Sequence, residues 1–214
     1  PRERTTPRPI LVSAHGAGGR PEPHCAFFRR LVAGRAFVLC PRGARLGTDA
    51  PLDQGGFFYP NHHALGREVV AALAALAARF GARVDLRAPV YAGFSQGATM
   101  GALAFVKQGG PFARMLLIEG GVGEYDEWTI ANARAFHEGG GARVLLACGR
   151  EACAEAARRT EGRLAKAGLD ARAVYGAAGH TYGGAVGEAI EAALPWLFDG
   201  DPRWLGSTGA AAQP

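Results

Sequence analysis

Six short apolar runs, separated by stretches of helical period, leave few folds open to this 214-residue chain. The runs are residues 10–14, 36–40, 89–94, 115–118, 144–147 and 171–175. Several are nearly unbroken in hydrophobicity, as strands covered on both faces should be. Between them, Leu65, Val69, Leu73, Leu76 and Phe80 recur at three- and four-residue steps and stop at Gly81. That spacing makes one apolar helical stripe. Further helical patterns cover 95–107, 128–137, 152–167 and 184–198, and Pro195 weakens the last turn of the final one. Strand–helix alternation predicts an α/β fold, a mainly parallel sheet of about six strands with helices on both faces. Such sheets bind ligands at the carboxyl ends of their strands, so function is expected in the loops just after each run.

The length suits one domain, expected over 10–198, with an extended N-terminal segment 1–9 and a C-terminal tail 199–214. The longest strongly apolar run, residues 69–78, is half of the ~20 residues a spanning helix needs, so no membrane span is expected. A net charge of +5 raises the question of nucleic acid. Only Lys107 and Lys166 are lysines, however, and the 22 arginines are scattered, at most in pairs, with no basic run of five. No nucleic-acid partner is expected.

Cys25, Cys40, Cys148 and Cys153 show no C-x₂-C spacing of a zinc or redox site. Two sequence-close pairs allow bridges 25–40 and 148–153; the plainer alternative is four buried free thiols. The chain begins Pro-Arg-Glu-Arg, as a mature exported form or a trimmed chain would. We expect a secreted or periplasmic protein with disulfides, and a cytoplasmic one if the cysteines are free.

Three loops carry the chemistry. After the third run comes Gly93-Phe94-Ser95-Gln96-Gly97, a G-x-S-x-G sequence between a strand and a helix. Glycines two residues either side of a serine permit a tight turn that presents the hydroxyl at a helix N-terminus. After the first run comes His15-Gly16-Ala17-Gly18-Gly19, able to aim backbone N–H groups at a developing oxyanion, with Ala17 and Gln96 as the pair. Taken alone it would be an ordinary glycine turn. After the last run comes Gly179-His180, from which an imidazole can reach back to the serine as a general base.

These segments resemble the α/β-hydrolase fold over about residues 10–198. The Gly-Phe-Ser-Gln-Gly elbow is similar to that of small, lidless carboxylesterases and acyl-thioesterases. The resemblance implies a sheet lacking the first two strands of the full fold and a Ser-His-acid triad. It also implies an aspartate three residues after the glycine ending the penultimate strand. That glycine is Gly149, and the third residue on is Ala152. Two glutamates compete instead. Glu151 lies in the usual loop but opens a helix, where a carboxylate is favourable for its own reasons. Glu119 ends a buried apolar run, where a carboxylate needs a partner, and some members of the fold carry the acid after this earlier strand. Glu119 is favoured, with Glu124 and Asp126 as outsiders. A Cys148–Cys153 bridge would staple the loop that holds Glu151.

Phe57, Phe58, Tyr59 and His62, with His15 and Gly16, are read as substrate-pocket walls, against a plainer alternative of aromatic packing and solvated histidines. His62 and His63 lack a nearby carboxylate or cysteine at helical spacing, so no metal is expected, and no organic cofactor is needed. Trp128, Trp196 and Trp204 read as core or surface plugs.

The chain is thus read as a serine hydrolase of carboxylic esters. Ser95 is the nucleophile, His180 the base, Glu119 (or Glu151) the orienting acid, and Ala17 and Gln96 the oxyanion donors. No insertion is long enough for a helical lid, so an open cleft for short-acyl or accessible polymeric esters is expected. A thioesterase, a serine peptidase and a catalytically silent binding protein of the same fold stay open as alternatives.

Overall fold

A computed structural model describes residues 6–47, 51, 54–107 and 109–204. Its centre is a six-stranded sheet, β1 (Ile10–Ala14), β2 (Phe37–Leu39), β5 (Val90–Phe94), β6 (Arg114–Ile118), β7 (Arg143–Cys148) and β8 (Asp170–Tyr175). Their order is β2-β1-β5-β6-β7-β8 and every pairing is parallel. Each of the six apolar runs supplies one strand. Side chains alternate between two cores, as the period of two requires. Ile10, Val12, Tyr91, Met115 and Leu117 face one core, and Leu11, Val90, Ala92, Leu116 and Ile118 the other.

Helices α2 (His62–Phe80), α3 (Gln96–Phe105), α4 (Ile130–Glu138) and α5 (Glu151–Lys166) cover the first face. Helices α1 (Pro21–Val32) and α6 (Gly184–Phe198) cover the second. The caps follow local chemistry. Asn61 accepts the Ala64 N–H at 2.9 Å and Thr129 the Asn132 N–H at 3.1 Å, each satisfying an orphan donor of the first turn. The order reverses at β1 and β5, since β2 lies to one side of β1 while β5 to β8 run to the other. That switch opens a crevice at the carboxyl ends of β1 and β5.

Four features depart from the sequence expectations. Helix α1 was not anticipated: Pro21 and Pro23 interrupt its pattern, yet prolines fit a first turn whose N–H groups have no helical acceptor. Its His24, Phe28, Leu31 and Val32 make the buried stripe. An antiparallel pair of two-residue strands, β3 (Ala44–Arg45) with β4 (Phe57–Phe58), is too short to leave a period. Helix α6 runs through Pro195 to Phe198, because Pro195 sits on the exposed side, where the freed carbonyl meets water. Finally, residues 199–204 are anchored and not frayed. Trp204 stacks on Phe198 with ring centroids 4.4 Å apart, and Asp201 pairs with Arg203 at 2.6 Å and Arg114 at 3.5 Å. Arg8, from the segment expected to be extended, bridges to Val84. The remainder of the expected ends, residues 1–5 and 205–214, lies outside the described residues.

Two disulfides are present, Cys25–Cys40 and Cys148–Cys153. The first ties α1 to the residue following β2, and the second ties the end of β7 to the first turn of α5. No helix among the described residues is long and apolar enough to cross a membrane.

Candidate active site

Ser95 stands between β5 and α3 with φ 52° and ψ −117°, a backbone conformation that costs a non-glycine residue free energy. The turn is held by the Ser95 N–H donating to the Ile118 carbonyl at 2.8 Å. The flanking glycines are required by space. A Cβ on Gly97 would lie 2.3 Å from the Ala14 carbonyl oxygen, and one on Gly93 would lie 2.6 Å from the Ala98 nitrogen. Only with both side chains absent can α3 start this close to β1 and β5.

His180 arrives on the loop between β8 and α6. The Ala178 and Gly179 N–H groups both donate to the Gly149 carbonyl, at 3.2 and 3.1 Å, which lays this loop over the end of β7. The ring packs against Phe94 at 5.0 Å. Its Nδ1 lies 2.8 Å from Glu119 Oε2 and its Nε2 lies 2.9 Å from Ser95 Oγ. A carboxylate only accepts, so Nδ1 carries the hydrogen and Nε2 is left to accept from the hydroxyl. Serine, imidazole and carboxylate therefore form one hydrogen-bonded series.

Glu119 follows β6 with a φ of 54° and a fully buried side chain. Burial alone pushes a carboxyl toward its neutral form. Here it is overruled by donors from His180, the Arg150 side chain, and the N–H groups of Gly149 and Arg150, so the Glu119 pKa lies below its usual range. Oε1 accepts from Gly149 N–H at 2.6 Å and Arg150 N–H at 3.0 Å; Oε2 accepts from Arg150 Nε at 2.5 Å as well as from His180. Glu151, by contrast, is exposed in the first turn of α5. Of the two competing glutamates, His180 meets Glu119. Cys148, Cys153 and Glu119 offer donor atoms within 4.8 Å of one another, but the two sulfurs are bonded to each other and are not thiolates.

The glycine loop after β1 presses on the elbow: a Cβ on Gly16 would lie 3.2 Å from Ser95 Cβ. Gly18 and Gly19 of this loop exchange hydrogen bonds with Phe57, at 2.9 Å each, and His15 places its ring nitrogens against the carbonyls of Gly16 (2.8 Å) and Arg42 (2.9 Å). The Gln96 side chain accepts the Tyr59 N–H at 2.9 Å. Phe57 and Tyr59 are buried struts for the loop, and the pocket-wall reading of Phe57, Phe58, Tyr59 and His62 is corrected. None of them lines the open cleft of about 540 Å³ beside Ser95. That cleft lies between α3, the loop after β6 and the start of α5, walled by Met100, Leu103, Val122, Tyr125 and Arg150. His15 and Gly16 line a different hollow.

Arg150, the cleft wall and His24 escaped the sequence reading. An arginine after a strand-ending glycine was the one available sign for Arg150. The cleft residues depend on loop approach, which no local spacing records.

No protein-family model and no curated protein sequence matches this chain. Its backbone is nevertheless similar to solved structures. An uncharacterized protein from Bacillus cereus superposes with a TM-score of 0.71 at 14% identity, over 92% of this chain and 61% of that one. Esterase PE8 does so with 0.64 at 19% identity, over 90% and 94%. A Bacillus cereus carboxylesterase gives 0.59 at 20% identity, over 89% and 87%. The chain thus spans about three fifths of the first and most of the other two. Topology, switch-point crevice and these likenesses agree: the chain has the α/β-hydrolase fold.

Proposed function

We propose that the protein is a serine hydrolase that cleaves carboxylic esters through an acyl-enzyme. The observation carrying this reading is the series Ser95 Oγ, His180 Nε2 and Nδ1, Glu119 Oε2, with contacts of 2.9 and 2.8 Å. His180 takes the hydroxyl proton as Ser95 attacks the acyl carbon, and Glu119 stabilises the imidazolium that results. The developing oxyanion meets the N–H groups of Ala17 and Gln96. Gln96 opens α3, so its N–H has no acceptor within the helix and sits at the positive end of the helix dipole. The histidine then returns its proton to the leaving alkoxide, and in the second half-reaction activates the water that frees the acid. Similarity to two proteins named as esterases supports esters ahead of other acyl compounds. The cleft at Ser95 supports a small or polymeric ester substrate reached without a lid.

A fluorophosphonate probe is expected to label Ser95, and p-nitrophenyl acetate to be turned over. Failure to label, where a known esterase labels, would instead indicate a binding protein built on this fold. Anilides cleaved as readily as aryl esters would move the reading to a peptidase.

The two disulfides support a secreted or periplasmic location, since such bonds seldom persist in a reducing cytosol. Native-source protein denatured without reductant should give almost no thiol on Ellman titration; four thiols per chain would overturn this location.

A further inference from the structure

Glu119 is gripped by one short segment at the end of the neighbouring strand. Of the four groups that donate to its carboxylate, three belong to two consecutive residues. They are the Gly149 N–H at 2.6 Å, the Arg150 N–H at 3.0 Å and Arg150 Nε at 2.5 Å. His180 supplies the fourth. A buried carboxylate stays ionised only while such donors surround it, so the state of Glu119 depends on where residues 149 and 150 are held.

That segment is fastened at both ends. The Cys148 carbonyl accepts the Gly176 N–H at 3.0 Å, and the Arg150 carbonyl accepts the Ala154 N–H at 3.0 Å in the first turn of α5. The Cys148–Cys153 bridge then ties the end of β7 to that turn, closing a loop of sequence separation 5 around Gly149 and Arg150. Both sulfurs and a Glu119 oxygen lie within 4.8 Å of one another, so the bridge also packs against the acid. Gly149 serves the base as well. Its N–H holds Glu119, while its carbonyl accepts from Ala178 and Gly179 of the loop that carries His180.

The loop expected to carry the acid thus supplies donors to an acid on the next strand. Arg150 is half exposed on the cleft wall, and its Nε shares Oε2 of Glu119 with His180 Nδ1. An arginine so placed has two possible roles, and kinetics separates them. Binding substrate moves KM, whereas orienting Glu119 moves kcat.

Resting on the serine-hydrolase reading above, we propose that the bridged segment Cys148–Cys153 is the positioning element of the triad acid, with Arg150 as its positioning residue. With the segment loosened, the carboxylate takes up a proton or turns away from Nδ1. Either way the imidazolium loses its counter-charge.

The test measures kcat and KM for p-nitrophenyl acetate in wild type and in Glu119→Gln. Arg150→Met should lower wild-type kcat by about tenfold, the loss expected of one net hydrogen bond, and leave KM within about threefold. Made in Glu119→Gln, it should change kcat by less than about twofold, because groups that act as one unit are not additive. Opening the bridge with Cys148→Ala and Cys153→Ala should follow the same pattern, with a loss of about ten- to a hundred-fold. Opening the other bridge with Cys25→Ala and Cys40→Ala should leave kcat within about threefold. Arg150→Met keeps both disulfides, so it decides the outcome even where a cysteine variant fails to fold. The proposal is overturned by an Arg150→Met kcat within threefold of wild type, by a loss carried in KM, or by equal losses with and without Glu119. Equal losses on opening either bridge overturn it too. Absence of both fluorophosphonate labelling and acetate turnover in wild type would strike the serine-hydrolase reading itself, and so is distinguishable.

Discussion

Replacing His180 with alanine is expected to lower kcat for an unactivated alkyl ester by roughly a million-fold. The loss is large because, in the proposed mechanism, one ring serves three steps: it takes the Ser95 proton, protonates the leaving oxygen and activates water. Nothing else among the described residues stands in hydrogen-bond reach of Ser95 Oγ to replace it. Residual turnover should persist above the uncatalysed rate, since the backbone amides remain. Single-turnover kinetics on the purified variant measure this. A drop of less than about a hundred-fold would show that His180 is not the base.

Glu119→Gln should lower kcat by about four orders of magnitude, whereas Glu151→Gln should stay within about threefold of wild type. An amide at 119 can present its NH₂ to Nδ1 and favour the wrong tautomer, and it removes the charge that stabilises the imidazolium. Glu151 has no such contact, being exposed at the start of α5. The reverse ranking would transfer the role to Glu151. The same variant carries a stability signature. The folded-state pKa of Glu119 is depressed, so its ionised form stabilises the fold above the ordinary carboxylate pKa. That contribution is lost as pH falls through the folded value. Urea midpoints should therefore converge between wild type and Glu119→Gln as the pH is lowered from 6 to about 3.

Much of this fold was legible because parallel strands buried on both faces write themselves as unbroken apolar runs. Met115 to Ile118 and Val144 to Ala147 are such runs. Ser95 was legible because it follows a run directly, His180 because it lies in the loop after the last run, and Glu119 because a carboxylate ending a buried strand needs a partner. What could not be read shares a cause. Arg150 reaches Glu119 across 31 residues, and Gln96 holds Tyr59 across 37; neither approach leaves a local spacing. Phe57 and Tyr59 misled because an aromatic side chain suits a strut as well as a wall. Helix α1 was hidden by prolines at the one end of a helix that tolerates them.

The sheet divides the surroundings of Ser95 between its two faces. Side chains shaping the open cleft come from α3, the loop after β6 and the start of α5, whereas those around the smaller hollow come from the glycine loop, the start of α1, the end of β5 and the loop before α6. Exchanges in one set need not disturb the packing of the other. The walls of the open cleft can therefore change over generations, or under a protein engineer's hand, while the α1 side of the sheet keeps its packing.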